Sequence, residues 1–243
     1  MGYGVLMKIS VLIASFNYGN FIEDPIKSVL EQNYPRELYE IIVVDACSTD
    51  DTEKILDKYR SEIKVIYQHE STGLAAGCNL GIRASSGEYI LRLDADDTFC
   101  QNVLLIESLF LDENPDIGFT YPDYFVQKNG VKRRFCLPDF DADEIKQRGD
   151  FLGGGTMYRK ELFNKYGLYN ETFRSIENYE LILRYLENGI RGLHIKLPLF
   201  TYNHHGDSMS DDTKLMVDAW NILEKKYGNK YKMGKNHPRN IEF

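Results

Sequence analysis

The first hundred residues alternate between short apolar runs and amphipathic stretches. Residues 8–14 (KISVLIA) are apolar or β-branched at nearly every position, the pattern of a strand buried on both faces. Residues 21–32 change to a helical period. Phe21, Ile22, Ile26, Val29 and Leu30 fall on one side, and Pro25 suits a first turn. The strand pattern returns at 40–45 (EIIVVD) and 63–67 (IKVIY). Between them Ser48-Thr49-Asp50-Asp51 can cap a helix expected to run to about Arg60. The small residues of 73–85 (GLAAGCNLGIRAS) predict a helix packed closely on a sheet. Residues 88–93 (EYILRL) read as a fourth strand, and 101–113 as a helix stopped before Pro115. Four such β-α repeats imply an α/β fold with a mainly parallel sheet and helices on both faces.

The second half is less regular. Residues 117–126 read as a strand, and Lys128-Asn129-Gly130 as a hairpin turn into 131–137. Asp150 to Thr156 is a glycine-rich turn, followed by a short helix expected over 157–167. Ile176 to Asn188 is an amphipathic helix ending at Gly189. An extended segment at 192–202, a polar loop at 204–208 and a final helix at 211–227 complete the reading. The division expected is into 1–120 and 121–243, two halves of one domain.

Open α/β sheets bind ligands beyond the carboxyl ends of their strands. Three polar turns lie at such ends: Ser15–Asn17, Asp45–Asp50 and Asp94–Asp97. In Asp94-Ala95-Asp96-Asp97, three carboxylates on a tight turn make a half-open shell for a hard cation. The competing reading is an acidic helix N-terminus. Asp45 ends a buried strand, where it can accept hydrogen bonds from a base or ribose. Ser48, Thr49 and Asp50 read better as helix caps. Glu177 and Glu180 share a helix face. Glu180 is expected on the solvated side, and Glu177 at the helix start, where it can reach a cleft. His204-His205 beside Gly206 can touch a metal or diphosphate, or be an ordinary surface loop. Gly153–Gly155 is either a hinge or a place where substrate approaches the backbone closely.

Composition narrows the function. The formal net charge of −8 argues against a protein built to neutralise nucleic-acid phosphates. Cys47, Cys78, Cys100 and Cys136 are far apart, so neither a zinc cage nor a disulfide framework is expected, and a reducing cytoplasm is the simple reading. The start does not read as a signal peptide, and no apolar run approaches the roughly 20 residues that span a bilayer. Residues 225–239 carry six Lys/Arg and no acids. That segment is either an ordinary solvated end or a contact for anionic lipid. A P-loop, a dinucleotide G-x-G-x-x-G turn and a G-x-S-x-G elbow do not occur at the expected places.

Several motifs stand in a familiar order: SVLIASFNYGNFI with SVLEQNYP, EIIVVDACSTDDT, GLAAGCNLGIRASSGEYILRLDADD, ENYELILRYLENG and HHGDSMS. Over residues 8–210 the chain resembles the family 2 glycosyltransferases, inverting enzymes of the GT-A fold. The resemblance implies a Rossmann-like, mainly parallel central sheet flanked by helices, with a C-terminal acceptor-side subregion. It implies a nucleotide pocket lined by Ala14, Ser15 and Asn17, with Asp45 on the base or ribose. Asn79, Arg83 and Asp94 complete the expected nucleotide-binding set. Asp94 and Asp96 match a D-x-D motif for Mn2+ or Mg2+, Asp96 being the direct ligand, with His205 near the metal or diphosphate. Gly154, Gly155 and Thr156 match a loop facing the acceptor.

Three positions depart from the family. Ala46 stands where a second aspartate is common, leaving the donor open between a UDP- and a GDP-sugar. Cys78 stands where arginine is frequent before Asn79, so one phosphate or base contact is either missing or moved, with Arg83 as the candidate. Asn178 replaces the aspartate that usually supplies the base, so Glu177 is expected to take that role. The implied function is inverting transfer from a nucleotide sugar to a saccharide or lipid-linked acceptor in surface polysaccharide or glycolipid synthesis. The place implied is the cytoplasm, with peripheral contact at the inner face of the plasma membrane through 225–239. A non-catalytic nucleotide-sugar-binding protein is one alternative, motivated by Asn178. A sugar-1-phosphate nucleotidyltransferase is another, but SFNYGN lacks the basic residues of its phosphate loop.

Overall fold

The protein was analysed as a computed structural model describing residues 7–148, 153–206 and 212–231. Parts of four expected features lie outside these residues: 150–152 of the glycine-rich turn, 207–208 of the late polar loop, 211 of the final helix, and 232–239 of the basic segment.

The apolar runs become adjacent strands. β1 (Ile9–Ser15) lies between β2 (Tyr39–Asp45) and β4 (Tyr89–Asp94), and β3 (Lys64–Tyr67) pairs with β2, all parallel. Val11, Ile13, Val43, Leu91 and Leu93 are almost wholly buried, which is why these strands read as continuous apolar runs. α1 (Glu23–Leu30) and α2 (Thr52–Asp57) follow β1 and β2, and α2 stops short of the expected Arg60. α3 (Leu74–Ala84) follows β3. Its small residues let it sit close to the sheet. A Cβ on Gly77 would lie 3.4 Å from the Ala14 Cβ, and one on Gly81 3.2 Å from a Leu12 methyl. This helix brings its N-terminus to the carboxyl ends of the strands.

Beyond β4 the sheet changes character. β5 (Thr98–Phe99) and α4 (Val103–Glu113) lead into β6 (Ile117–Lys128), which forms a hairpin with β7 (Val131–Phe135). After α5 (Ala142–Arg148), β8 (Met157–Arg159) inserts antiparallel between β4 and β6. α6 (Lys160–Tyr166), α7 (Glu177–Glu187), β9 (Arg191–Asn203) and α8 (Thr213–Tyr227) complete the chain. The strand order is β3-β2-β1-β4-β8-β6-β9-β5, with β7 on β6.

Two expectations are corrected here. Residues 157–159 form a strand, not the start of a helix, and the helix begins at Lys160. A three-residue strand is too short to show a period of two. Its place is set by pairing on both sides, which buries Met157 and Tyr158. Glu180 is fully buried rather than solvated. It accepts from Arg184 Nε at 3.0 Å, from Lys226 Nζ at 2.5 Å and from the Tyr227 hydroxyl at 3.0 Å. This network ties the end of α8 to α7, while Met216, Ala219, Trp220 and Leu223 pack against Phe173, Tyr179 and Leu183.

Candidate active site

A cleft of about 470 Å3 opens at the carboxyl ends of β1 and β4. Ala14, Ser15, Asp94, Asp96, Gly154 and Glu177 all line it, so residues from both halves of the sequence meet in one place. A concave site of a few hundred Å3 with convergent polar groups is the size a small organic ligand occupies.

The turn after β1 and the turn after β2 lock together. Asn17, in a left-handed conformation, donates its N–H to Ser48 Oγ at 2.8 Å and accepts from the Thr49 N–H at 2.8 Å. Asp50 accepts from the Gly19 N–H at 2.8 Å and from the Thr52 N–H at 3.0 Å, which ties the start of α2 to the turn after β1, although the N-cap position itself is Asp51. Ser48 is no helix cap. Its hydroxyl donates to Asp45 Oδ1 at 2.5 Å, and its N–H to Asp45 Oδ2 at 3.1 Å. Both Asp45 oxygens are therefore engaged inside the turn, and Val44 and Ala46 rather than Asp45 face the cleft. Ser15 Oγ is buried with no hydrogen-bond partner among the described residues. A buried hydroxyl in that state in a cleft wall is a group a ligand can satisfy.

The turn after β4 is held by the far end of the chain. The Asp97 N–H closes the turn on the Asp94 carbonyl at 3.1 Å. Asp97 Oδ1 accepts from the Asn203 N–H at 2.9 Å, and Asn203 Nδ2 donates to the Asp96 carbonyl at 2.8 Å. His205 Nε2 meets Asp96 Oδ2 at 2.9 Å, while its ring stacks on Phe21. Burial raises the pKa of Asp96, the neighbouring Asp94 adds to the rise, and His205 opposes it. Burial, then Asp96 and Asp94, pushes Asp97 well above the carboxylate range. Crowded, desolvated carboxylates of this kind favour a cation between them.

No group of three or more His, Cys, Asp or Glu among the described residues is arranged to hold a metal ion alone. Asp96 and His205, with Asp94 adjoining, supply only part of a shell. That donor set suits Mg2+ or Mn2+, which complete their shells with water and ligand phosphates. The acidic turn is no helix N-terminus, because β5 and the residues after it precede α4.

The start of α7 faces the same cleft. Ile176 sits in the left-handed region at φ 55°, unusual for a β-branched residue. Glu177 follows, nearly buried, with Oε1 accepting from Arg92 Nη1 at 2.7 Å. Arg92 Nε also donates to Asp94 Oδ1 at 2.8 Å. Burial disfavours the Arg92 charge, yet Asp94 and the groups around it hold its pKa well above the ordinary value. Asn178 lines the cleft beside Glu177. On the other side, a Cβ on Gly154 would stand 3.7 Å from the outer oxygens of Asp94 and Asp97.

Several expected residues lie elsewhere. Asn79 is buried beneath α3, where Oδ1 accepts from the Tyr169 N–H at 2.9 Å. Its Nδ2 donates to the Tyr169 carbonyl at 2.9 Å and to Glu171 at 2.8 Å, so it clamps a loop and does not line the cleft. Arg83 is exposed in the last turn of α3, roughly 14 Å along the axis from the cleft end at 1.5 Å per residue. Asn17 latches two turns and does not line the wall. Gly155 and Thr156 stand behind Gly154. Gly155 adopts φ +75° against the Phe200 ring, and Thr156 is buried with its hydroxyl on the Gly153 carbonyl at 3.1 Å. The residue that sequence reasoning missed is Arg92. Its signal was present: one charge inside an otherwise apolar strand must find partners, because burying a charge alone is costly.

The family model described as glycosyl transferase family 2 matches residues 10–167. The Escherichia coli UDP-Glc:alpha-D-GlcNAc-diphosphoundecaprenol beta-1,3-glucosyltransferase WfaP is 27% identical, over 89% of this chain and 85% of its own length. The crystal structure of Staphylococcus aureus TarS 1-349 with UDP-GlcNAc superposes with a TM-score of 0.76 at 23% identity, covering 90% of this chain and 65% of that one. A mannosyltransferase from Pyrobaculum calidifontis, solved with GDP-Man and Mn2+, gives a TM-score of 0.67 at 17% identity, covering 83% and 58%. In sequence the match to full-length TarS spans 20% of that protein. The GT-A architecture expected from the motifs is the architecture of these solved neighbours.

Proposed function

The chain belongs to glycosyl transferase family 2, and we propose that it moves a sugar, with inversion, from a nucleotide-sugar donor to a saccharide or lipid-linked acceptor. The product would enter a surface polysaccharide or glycolipid; the names of WfaP and TarS give a diphosphoundecaprenol-linked GlcNAc and poly(ribitol-phosphate) as what those proteins act on. One observation carries the reading: the Asp94–Asp97 turn, clasped by Asn203 and His205, shares a cleft with Ser15 and Glu177.

In this reading the nucleoside lies along Ala14, Ser15, Val44 and Ala46, under the N-terminal end of α3. The diphosphate lies over the acidic turn. Asp96 and His205, with Asp94 adjoining, would hold a divalent cation there, which would supply positive charge against the departing nucleoside diphosphate. The solved mannosyltransferase that holds Mn2+ supports the choice of metal. Glu177 accepts the acceptor hydroxyl proton, a role Asn178 cannot take because an amide is not a base at neutral pH. The hydroxyl oxygen then bonds to the anomeric carbon. The bond from that carbon to the diphosphate oxygen breaks, and its electron pair leaves with the nucleoside diphosphate. Gly153 and Gly154 leave room on the acceptor side.

A thermal-shift screen of UDP, GDP and their sugars, with and without Mn2+, tests donor and metal together, since a ligand of the folded state raises apparent stability. Release of nucleoside diphosphate only when acceptor is added would support transfer. Tight nucleotide-sugar binding with no release under any acceptor would favour a binding protein instead. Peripheral membrane contact through 225–239 has less support than its charge implies, because Lys226 pairs with Glu180 and Lys230 with Glu187. Among the described residues no helix is long and apolar enough to cross a membrane.

A further inference from the structure

We infer that Arg92 is the positioning residue of this site, a single side chain on β4 that sets the distance between the diphosphate-side Asp94 and the acceptor-side Glu177. The inference rests on the glycosyl-transfer reading of the cleft.

Arg92 faces α3 from the middle of the sheet, in register with Leu12 of β1, and its side chain is 7% exposed. Its guanidinium divides between two carboxylates from distant parts of the chain. Nε and Nη2 reach Asp94 Oδ1 at 2.8 and 2.7 Å, and Nη1 reaches Glu177 Oε1 at 2.7 Å. The planar fork fixes angles as well as distances, which an ammonium cannot do. Its main chain makes a third tie, because the Arg92 carbonyl accepts the Gly155 N–H at 3.0 Å. The acidic turn, the start of α7 and the glycine loop thus converge on one residue. The buried Tyr169 ring, 6.0 Å from the guanidinium carbon, backs it, and Asn79 clamps both the main-chain N–H and the carbonyl of Tyr169.

The neighbour on α3 explains why the cation comes from the strand. Cys78 is buried and in electrostatic contact with Arg92, Glu177 and Asp94. Burial pushes its thiol up to about 12, so it stays neutral and supplies no charge. Positions 78 and 92 therefore both neighbour the same pair of carboxylates, and one guanidinium satisfies both. Arg83, the one cation of α3, lies at the far end of the helix.

The test compares the parent with Arg92→Lys, Arg92→Leu and Arg92→Leu/Cys78→Arg. Folding is followed by near-UV circular dichroism, UDP and GDP binding by calorimetry with Mn2+, and sugar transfer as kcat and donor KM. Lysine keeps the charge and loses the fork. In Arg92→Lys we expect kcat to fall about 100-fold, the scale of an ångström-sized misplacement. Donor KM and nucleotide affinity should stay within about twofold of the parent. The double variant should recover about tenfold over Arg92→Leu, as a guanidinium returned from the other side. A parent-like kcat in Arg92→Lys overturns the inference. So does a loss of nucleotide affinity as large as the loss of kcat/KM, which would make Arg92 a donor-binding group. A folded double variant no better than Arg92→Leu overturns the exchange with position 78. If Arg92→Leu does not fold, Arg92→Lys alone decides. A parent that binds nucleotide and transfers no sugar sinks the transferase reading itself.

Discussion

The two sides of the cleft are held in different ways. On the β1–β2 side, polar groups are satisfied within the turns themselves: Asp45 by Ser48, Asp50 by Gly19 and Thr52, Asn17 by Ser48 and Thr49. On the β4 side, most partners come from far along the chain, the Arg92–Asp94 pair being the local exception. Asp94 and Glu177 share Arg92, Asp96 meets His205, and Asp97 meets Asn203. The first side is a shelf that its own loops preform. The second is assembled by β9 and α7 once the sheet has closed. The difference teaches where chemistry and where mere binding should be sensitive to mutation.

The largest effect is expected at Asp96→Ala. It removes a metal-side carboxylate and releases His205, and transfer should drop by about 1,000-fold or more, as losing a preorganised electrostatic group does. The stabilisation of the protein by Mn2+ with UDP or GDP should vanish in the same variant. Unchanged metal-dependent thermal shifts would break the comparison, since the long-range side would then be dispensable.

Next comes Glu177→Gln. Transfer should fall by about 100-fold to 10,000-fold, the range of general-base catalysis, with donor binding intact. The glutamine keeps an acceptor oxygen for Arg92, so the fold should hold. Steady-state turnover near that of the parent would remove Glu177 as the base and direct attention back to Asn178 and the bound substrates.

Glu180→Ala sharpens the comparison by breaking a long-range contact away from the chemistry. Arg184 and Lys226 lose their buried partner. Removing one side of a buried ion pair costs up to about 5 kcal/mol. With Lys226 38% exposed, about 3 kcal/mol is the scale expected in denaturant unfolding. Because α8 also contributes Leu215 and Met216 to the cleft wall, donor KM should rise too. An unfolding free energy equal to the parent's would show that α8 is held by apolar packing alone.

The smallest effect is expected at Glu107, fully buried on α4, where Oε2 accepts from the Thr120 hydroxyl at 2.7 Å. Burial pushes its carboxyl well above the ordinary 4.5. The folded state then binds the proton more tightly than the unfolded chain. This group's contribution is full below the unfolded value and is lost as pH rises toward the folded one. Glu107→Gln should therefore raise stability at neutral pH and flatten that slope, with transfer unchanged. A variant less stable than the parent at pH 7 would reverse the sign.

Legibility followed the same division. The parallel strands, their helices and the acidic turn could be read from the chain because each rests on a local pattern: an apolar run, a helical period, three carboxylates at a strand end. Ser15 and Asp94 were placed by their strand ends alone. Asn79 and Arg83 were misplaced because a motif gives an order along the chain and no direction in space. Asn79 turns under α3 to hold Tyr169, and Arg83 falls at the wrong end of the helix. Met157–Arg159 read as helix because nothing in three residues announces a strand that two neighbours complete.

Sequence alone determined the class of fold and the edge of the sheet where three polar turns gather, the acidic one among them. These follow from hydrophobic period and chain reversal, which are short-range. Tertiary structure alone decided which carboxylates share a cation, that Asp45 is turned inward, that Glu180 is buried, and that Arg92 rather than an arginine on α3 stands between Asp94 and Glu177. Those facts depend on contacts between residues up to 109 positions apart. A local pattern carries no record of such contacts, because only the closed sheet brings their partners together.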